Sequence, residues 1–283
     1  MKVIQVMKVM QARKKRATAR PVPFITFIAF IFITAPQVLA AEARYPSAVP
    51  GYAIRFPHDD GSHPAFRTEW WYVTGWLKDE RGIERGFQVT FFRNRMGLDE
   101  DNPSRFAAKQ LLFAHAAISD PSRGRLLNAE RSARAGFGLA EAEEGRLAVH
   151  VDDWRLRRDE DGVYSASVAT DAFALDLVLR AQQPPLLQGD NGFSQKGPDG
   201  TAASYYYSVP HLRVSGDMRI GGRRHRVTGS AWFDHEWSSR LLDEAAVGWN
   251  WIAINLADGG AVAAGQVRNE HDAEHWAAGS FRA

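Results

Sequence analysis

Three short segments gather side chains able to do acid–base chemistry beside indole rings. The first runs Phe56-Pro57-His58-Asp59-Asp60-Gly61-Ser62-His63-Pro64-Ala65-Phe66-Arg67-Thr68-Glu69-Trp70-Trp71-Tyr72. The second is Ala231-Trp232-Phe233-Asp234-His235-Glu236-Trp237-Ser238-Ser239-Arg240, and the third is Gly248-Trp249-Asn250-Trp251. Six of the nine Trp residues lie in these segments, so the titratable groups are set among apolar rings. In an extended strand successive side chains leave opposite faces. Trp232, Asp234 and Glu236 then share one face, and Phe233, His235 and Trp237 share the other. A carboxyl group among Trp rings loses hydration. Its pKa rises, and it can stay protonated as a general acid. The competing reading is structural: a buried acid held by an arginine and a tyrosine hydroxyl at a barrel rim.

Around Asp234 and His235, the candidate catalytic pair, the remaining polar candidates are Asp59, His63, Arg67, Glu69 and Glu236. The candidate apolar wall is Trp70, Trp71, Tyr72, Tyr206, Trp232, Trp237, Trp249 and Trp251. Trp70 and Trp71 are adjacent in a strand, so they show one ring to each side. His58, Asp59, His63, His235 and Glu236 are possible metal ligands by type. No His-Glu-x-x-His spacing joins them, so no metal and no cofactor is expected. A serine nucleophile lacks its Gly-x-Ser-x-Gly elbow and the helix–strand alternation that holds one. The absence of cysteine excludes a disulfide scaffold, thiolate-ligated metals and a cysteine nucleophile.

The elements that must position these residues read as strands. Residues 70–77 are aromatic and β-branched, and Lys78-Asp79-Glu80-Arg81-Gly82 turns them back into residues 85–93. Further strands are expected at 109–120, 147–157, 163–169 and 173–179. Phe173, Leu175, Leu177 and Leu179 fall on one face of the last. Turn chemistry fills 182–203, and strands resume at 204–214, 224–237, 248–256 and 261–268, with Asp258-Gly259 as a hairpin turn. Strands without crossover helices must pair antiparallel. The expected fold is all-β: two antiparallel barrels, at 45–183 and 186–283. About four strands in the second half are too few to close a barrel, so the second unit is expected to be incomplete.

Charge separates the start of the chain from its body. Residues 1–20 carry seven Lys/Arg and no acid. The rest holds 28 basic against 33 acidic residues, which removes the electrostatic drive for a nucleic-acid partner. An apolar run, Phe24 to Ile33, follows the basic start, then Ala35-Pro36 and the small-residue site Val38-Leu39-Ala40. This reads as a signal peptide over 1–40 and implies a secreted or periplasmic protein. Ten apolar residues are too few for a bilayer span of ~20.

The ordered motifs resemble the AttH-like/carotenoid 1,2-hydratase family. They are Glu69-Trp70-Trp71-Tyr72-Val73-Thr74-Gly75, Thr90-Phe91-Phe92-Arg93, Ala114-His115-Ala116-Ala117-Ile118-Ser119-Asp120, Tyr205-Tyr206-Tyr207-Ser208, Trp232 to Trp237, and Gly248-Trp249-Asn250-Trp251. The resemblance covers about residues 50–283. It implies two lipocalin-like barrels, the second completed by segments beyond residue 283. It also implies that Asp234 is the proton donor to an isolated C=C, to whose tertiary cation water adds. Two positions depart from the family pattern: Asp60 stands where the family usually has His, and Asn250 where it usually has Asp. The expected function is a hydratase or hydrolase acting on an apolar isoprenoid or lipid-like ligand. The alternative is a non-catalytic periplasmic lipid carrier associated with an ABC transporter. Only the enzyme needs a titrating acid at its cavity.

Overall fold

The structure is a computed structural model that describes residues 45–97 and 100–283, together with the backbone of Val3–Lys8. The expected signal peptide thus lies outside the described residues, apart from that backbone stretch. The described chain is all-β. Its strands are β1 (Val3–Lys8), β2 (Thr68–Asp79), β3 (Glu84–Arg95), β4 (Gln110–Asp120), β5 (Arg125–Arg134), β6 (Ala140–Ala142), β7 (Ala148–Val151), β8 (Trp154–Arg158) and β9 (Val163–Ala169). They continue as β10 (Phe173–Ala181), β11 (Leu186–Leu187), β12 (Phe193–Gln195), β13 (Ala203–Ile220), β14 (Arg223–Arg240), β15 (Ala246–Asn255), β16 (Ala261–Asn269) and β17 (Glu274–Arg282). Two single-turn 3-10 helices, His58–Asp60 and Pro121–Arg123, interrupt the loops.

Every strand pairing is antiparallel, as the missing crossovers require. The large sheet runs β5-β4-β3-β2-β14-β13-β10-β9-β8-β7-β6, with β11 and β12 added along β13. It curls until β4 and β5 approach β7, giving a nearly closed barrel. The second sheet is small, in the order β1-β15-β16-β17. Strands β13 and β14 follow the 182–203 loop in sequence, yet they lie between β2 and β10 in the large sheet. Each is 18 residues long, and together they form the wall between the barrel interior and the small sheet.

Local sequence explains most boundaries. Residues 147–157 form two strands rather than one, because Asp152 turns with φ 52° in the left-handed region that Asp tolerates. The loop 182–203 contributes β11 and β12, which hydrogen-bond to β13. Strands β5 and β17 were not expected from alternation; exposed Arg and Glu dominate one, and Ala and Gly the other.

The barrel core holds Phe173, Leu175, Leu177 and Leu179, the face that alternation selects, with Trp154 and Phe91. A smaller cluster joins Trp232 on β14 to Leu186, Ala253, Ala261 and Ala263, with Trp76 and Trp251 packed against it. Small side chains on β15 and β16 let the second sheet approach the outer face of the first.

One stretch of the β2–β14 pairing is too close for any side chain. Gly229 on β14 faces β2, and a Cβ there would meet the Trp76 carbonyl oxygen at 1.8 Å. Gly75 on β2 has the mirror constraint, with the Ser230 carbonyl oxygen at 2.2 Å. Gly229→Ala is therefore expected to lower the unfolding free energy by about 1–3 kcal/mol, the usual cost of overpacking. Gly265→Ala is the control, because its new methyl meets nothing nearer than 3.8 Å. Urea unfolding of the three proteins followed by Trp fluorescence checks the difference.

Candidate active site

The register of β14 with its two neighbours builds two polar clusters on opposite faces. Asp234 lies opposite Tyr72 on β2 and Ser208 on β13. Glu236 lies opposite Trp70 and Tyr206. His235, between them in sequence, lies opposite Trp71 and Tyr207 and points into the barrel. Side chains directly across strands are the closest neighbours a sheet offers, so these rows define the site.

On the outer face Asp234 is 3% exposed. Three donors converge on its Oδ1: Tyr206 Oη at 2.8 Å, Ser208 Oγ at 2.5 Å and Trp232 Nε1 at 2.8 Å. The network extends outward. Gln188 Nε2 donates to Ser208 Oγ at 2.7 Å, and Trp251 Nε1 donates to Tyr206 Oη at 3.1 Å. All three donors to Asp234 are neutral. Burial outweighs them and, helped by the nearby Glu236 charge, pushes the Asp234 carboxyl up to about 7. Burial and the same carboxylates drive the Tyr206 hydroxyl well above the usual tyrosine value, so it keeps its proton.

Glu236 is handled differently. Its Oε1 accepts from Ser204 Oγ and sits 2.9 Å from Lys196 Nζ. Lys196 also donates to Ser194 Oγ at 2.9 Å and lies 5.0 Å from the centre of the Tyr206 ring. A cavity of about 680 Å³, counting its open mouth, lies between this face and the small sheet. Trp70, Trp249, Trp251 and Trp276 form its apolar wall. Tyr206, Lys196, Glu236 and Gln188 form its polar wall. Asp234 does not line the cavity; its donor Tyr206 does. The arrangement is a protonated acid joined by one hydroxyl to an indole-lined space, with an ionic group beside it.

On the inner face Glu69 is fully buried at the start of β2. Its Oε1 takes His63 Nδ1 at 2.7 Å and His235 Nε2 at 2.9 Å. Its Oε2 takes Arg93 Nε at 2.8 Å and Ser62 Oγ at 3.2 Å, and the His63 backbone N–H reaches it at 2.9 Å. Burial acts to raise Glu69, but the two histidines and the Arg93 charge hold it well below the usual carboxylate range. His63 is pushed the other way: burial lowers it, and Asp59 and Glu69 more than restore it. His235 is lowered by burial, so it is the neutral partner, donating from Nε2. Asp59 is held low despite burial by His63, the Arg55 N–H, His58 and Tyr52. Trp237 stacks on His63 at 3.8 Å and 4°, and Trp71 stacks on His235 at 4.9 Å.

His63, Glu69 and His235 offer three possible ligand atoms within 4.8 Å of one another. The donor set does not fit a resident cation. A carboxylate has about four lone-pair sites, and five N–H or O–H donors already occupy those of Glu69. One of them is a guanidinium, whose charge a metal would have to displace.

The predicted residues therefore divide. Trp70, Tyr206, Glu236, Trp249 and Trp251 meet at the cavity, with Asp234 and Trp232 one layer in. Tyr72 packs edge-on against Trp251 at 5.8 Å. His235, Trp71, Trp237, Asp59, His63 and Glu69 belong to the barrel interior instead. The structure thus separates His235 from Asp234, because the pleat sends adjacent residues to opposite faces. Arg67 does not join the Glu69 network; it is exposed, and Arg93 on β3 supplies the cation. Residues not singled out as candidates are Arg93, Ser208, Lys196, Gln188 and Trp276. Arg93 and Ser208 stand in the quoted motifs. Lys196 and Gln188 come from the turn-rich 182–203 loop, where no periodicity marks them.

The two family departures find partners. Asp60 accepts from Arg158 Nη1 and Tyr207 Oη, each at 2.7 Å. It is the acid held by an arginine and a tyrosine hydroxyl; Asp234 has the tyrosine hydroxyl but, among the described residues, no arginine. Asn250 Nδ2 donates to Gln266 Oε1 at 3.2 Å across β15 and β16.

Opposite pKa shifts give opposite stability effects. Asp234 is raised in the fold, so the unfolded chain ionises first. It costs stability progressively from about pH 4 upward, and fully above about pH 7. Asp234→Asn keeps an acceptor for the three donors and removes that cost. The stability gap between variant and wild type is expected to grow by on the order of a few kcal/mol from pH 4 to pH 8 in urea melts. Glu69 is lowered, so its contribution is present above its unfolded value of 4.5 and is lost as pH falls. Glu69→Gln leaves Arg93 buried without its carboxylate, and a loss of about 3–5 kcal/mol is expected at pH 7. The same melts check it.

Comparison with known proteins places this geometry in a lipocalin-like fold. A model of the AttH-like family matches residues 47–283. The crystal structure of an AttH candidate from Nitrosomonas europaea is 48% identical to this chain with a TM-score of 0.77, over 84% of this chain and 72% of that one. Kievitone hydratase from Nectria haematococca shares the fold at 10% identity and a TM-score of 0.62, over 85% of this chain and 68% of that one. No curated protein sequence matches the chain. With the match spanning the whole described body, the chain belongs to the AttH-like family.

Proposed function

We propose that the protein is an acid-catalysed hydratase or hydrolase of an apolar, isoprenoid or lipid-like substrate. The observation that carries this reading is Asp234: a buried carboxyl poised at about 7, held by three neutral donors among the described residues, and linked through Tyr206 to the Trp-lined cavity. When Asp234 is protonated, its O–H donates to Tyr206 Oη. The Tyr206 proton then turns towards the cavity. A C=C seated against Trp70, Trp249 and Trp251 takes that proton, and Tyr206 recovers one from Asp234. The cation left behind faces indole rings whose electron-rich faces stabilise positive charge. Water then completes the addition. Family membership supports a role of this class, and the leader expected over residues 1–40 supports work in the periplasm or outside the cell.

The same cavity supports a second reading, a lipid carrier serving an ABC transporter, because its wall is mainly indole and small apolar groups. The two readings differ in what Asp234 does. Asp234→Asn is expected to lower turnover ~10²–10⁴-fold, the worth of general acid catalysis. Binding of an apolar ligand, read by quenching of Trp fluorescence, is expected to stay within a few fold. The kcat/KM profile of the wild type is expected to fall above about pH 7 as Asp234 ionises. Binding without turnover of any carotenoid or lipid, together with a flat pH profile, favours the carrier.

A further inference from the structure

The cavity is lined by a carboxylate that the protonation step does not use. Glu236 stands directly across the β13–β14 ladder from Tyr206, the residue that faces the substrate with the proton. Direct cross-strand partners have Cβ atoms about 4.5–5.5 Å apart. It also follows Asp234 by two residues on one face, which places their Cα atoms about 7 Å apart along the strand. Glu236 lines the cavity and Asp234 is joined to it through Tyr206, and among the described residues the donors to each carboxylate take a single oxygen. The donors to Asp234 all take Oδ1. Ser204 and Lys196 both take Oε1 of Glu236, so Oε2 accepts from neither. Lys196 balances the charge of Glu236 at Oε1.

We infer that Glu236 is the general base that holds and deprotonates the attacking water, with Lys196 as its positioning residue. The inference rests on the functional reading above. The step balances as follows. The C=C electron pair forms a C–H bond with the Tyr206 proton, and Asp234 re-protonates Tyr206, becoming a carboxylate. A water lone pair forms the C–O bond to the tertiary cation. The proton leaving that water goes to Glu236 Oε2. Glu236 now carries the proton that Asp234 lost, and its return through water in the cavity resets the pair. The sum is one C=C and one water converted to a tertiary alcohol. Cross-strand placement suits this division, because the proton and the water must reach adjacent carbons of one short double bond.

The decisive experiment separates protonation from water capture. The full chain and its variants are incubated in D₂O with geranylgeraniol, whose terminal C=C yields a tertiary cation. Hydration and deuterium incorporation into recovered alkene are followed by mass spectrometry. Glu236→Gln is expected to lose hydration about 10²-fold or more, the worth of a general base, while still placing deuterium in the alkene. Its cation forms and collapses by losing a proton. Asp234→Asn is expected to lose both. Lys196→Met is expected to reduce hydration less than Glu236→Gln and to leave exchange intact. Glu236→Ala, tested with added formate as a replacement carboxylate, is expected to regain hydration; it covers the case in which Glu236→Gln melts early. Hydration by Glu236→Gln at the wild-type rate, or equal loss of hydration and exchange in a folded Glu236→Gln, overturns the inference while leaving Asp234 as the acid. Absence of both reactions in the wild type overturns the functional reading beneath it.

Discussion

Strand β14 carries two chemistries on one backbone because successive side chains of a strand leave opposite faces. Asp234 and Glu236 leave the face towards the small sheet, where Glu236 lines the cavity and Asp234 reaches it through Tyr206; His235 and Trp237 look into the barrel. That separation is useful only if the strand cannot slip. A shift of one residue would bury Asp234 against the Glu69 network and turn His235 to the cavity. The register is pinned from the inside. Glu69 binds His235 across the ladder, and Arg93, His63 and Ser62 saturate what remains of its carboxylate. The inner cluster is thus best understood as the lock that sets the outer face.

The two clusters also show how the same residue type is given different electrical states. Glu69 and Asp234 are both buried acids. Glu69 has a guanidinium and two histidines on it, and attraction to these outweighs desolvation. Among the described residues Asp234 has hydroxyl and indole donors and no cation, and desolvation wins. Three neutral hydrogen bonds are not enough to keep a charge in that place. A cation near Asp234 would have erased the proton-donating state, and Lys196 is spent on Glu236 instead.

The small sheet contributes walls. Trp249 and Trp251 on β15 and Trp276 on β17 cover a face that would otherwise be open, and Trp251 reaches back to hydrogen-bond Tyr206. The Ala residues at 253, 261 and 263 bring that sheet close enough for the bond to form.

The residue pattern alone was enough to decide the all-β class, the antiparallel pairing and the faces of β10 and β14. These follow from alternation, which is local and needs no partner. It also marked Asp234 and Glu236 as sharing a face with Trp232, since that too is a statement about one strand. Partners across strands were a different matter. That Arg93 rather than Arg67 neutralises Glu69, and that Lys196 in an unpatterned loop reaches Glu236, depends on registers between distant strands. Neither composition nor spacing encodes such a register. Pairing His235 with Asp234 failed for the plainest reason: neighbours in sequence are the two residues a strand is built to keep apart. Tertiary structure decided which acid meets cations and which meets hydroxyl and indole donors, and so which one keeps its proton.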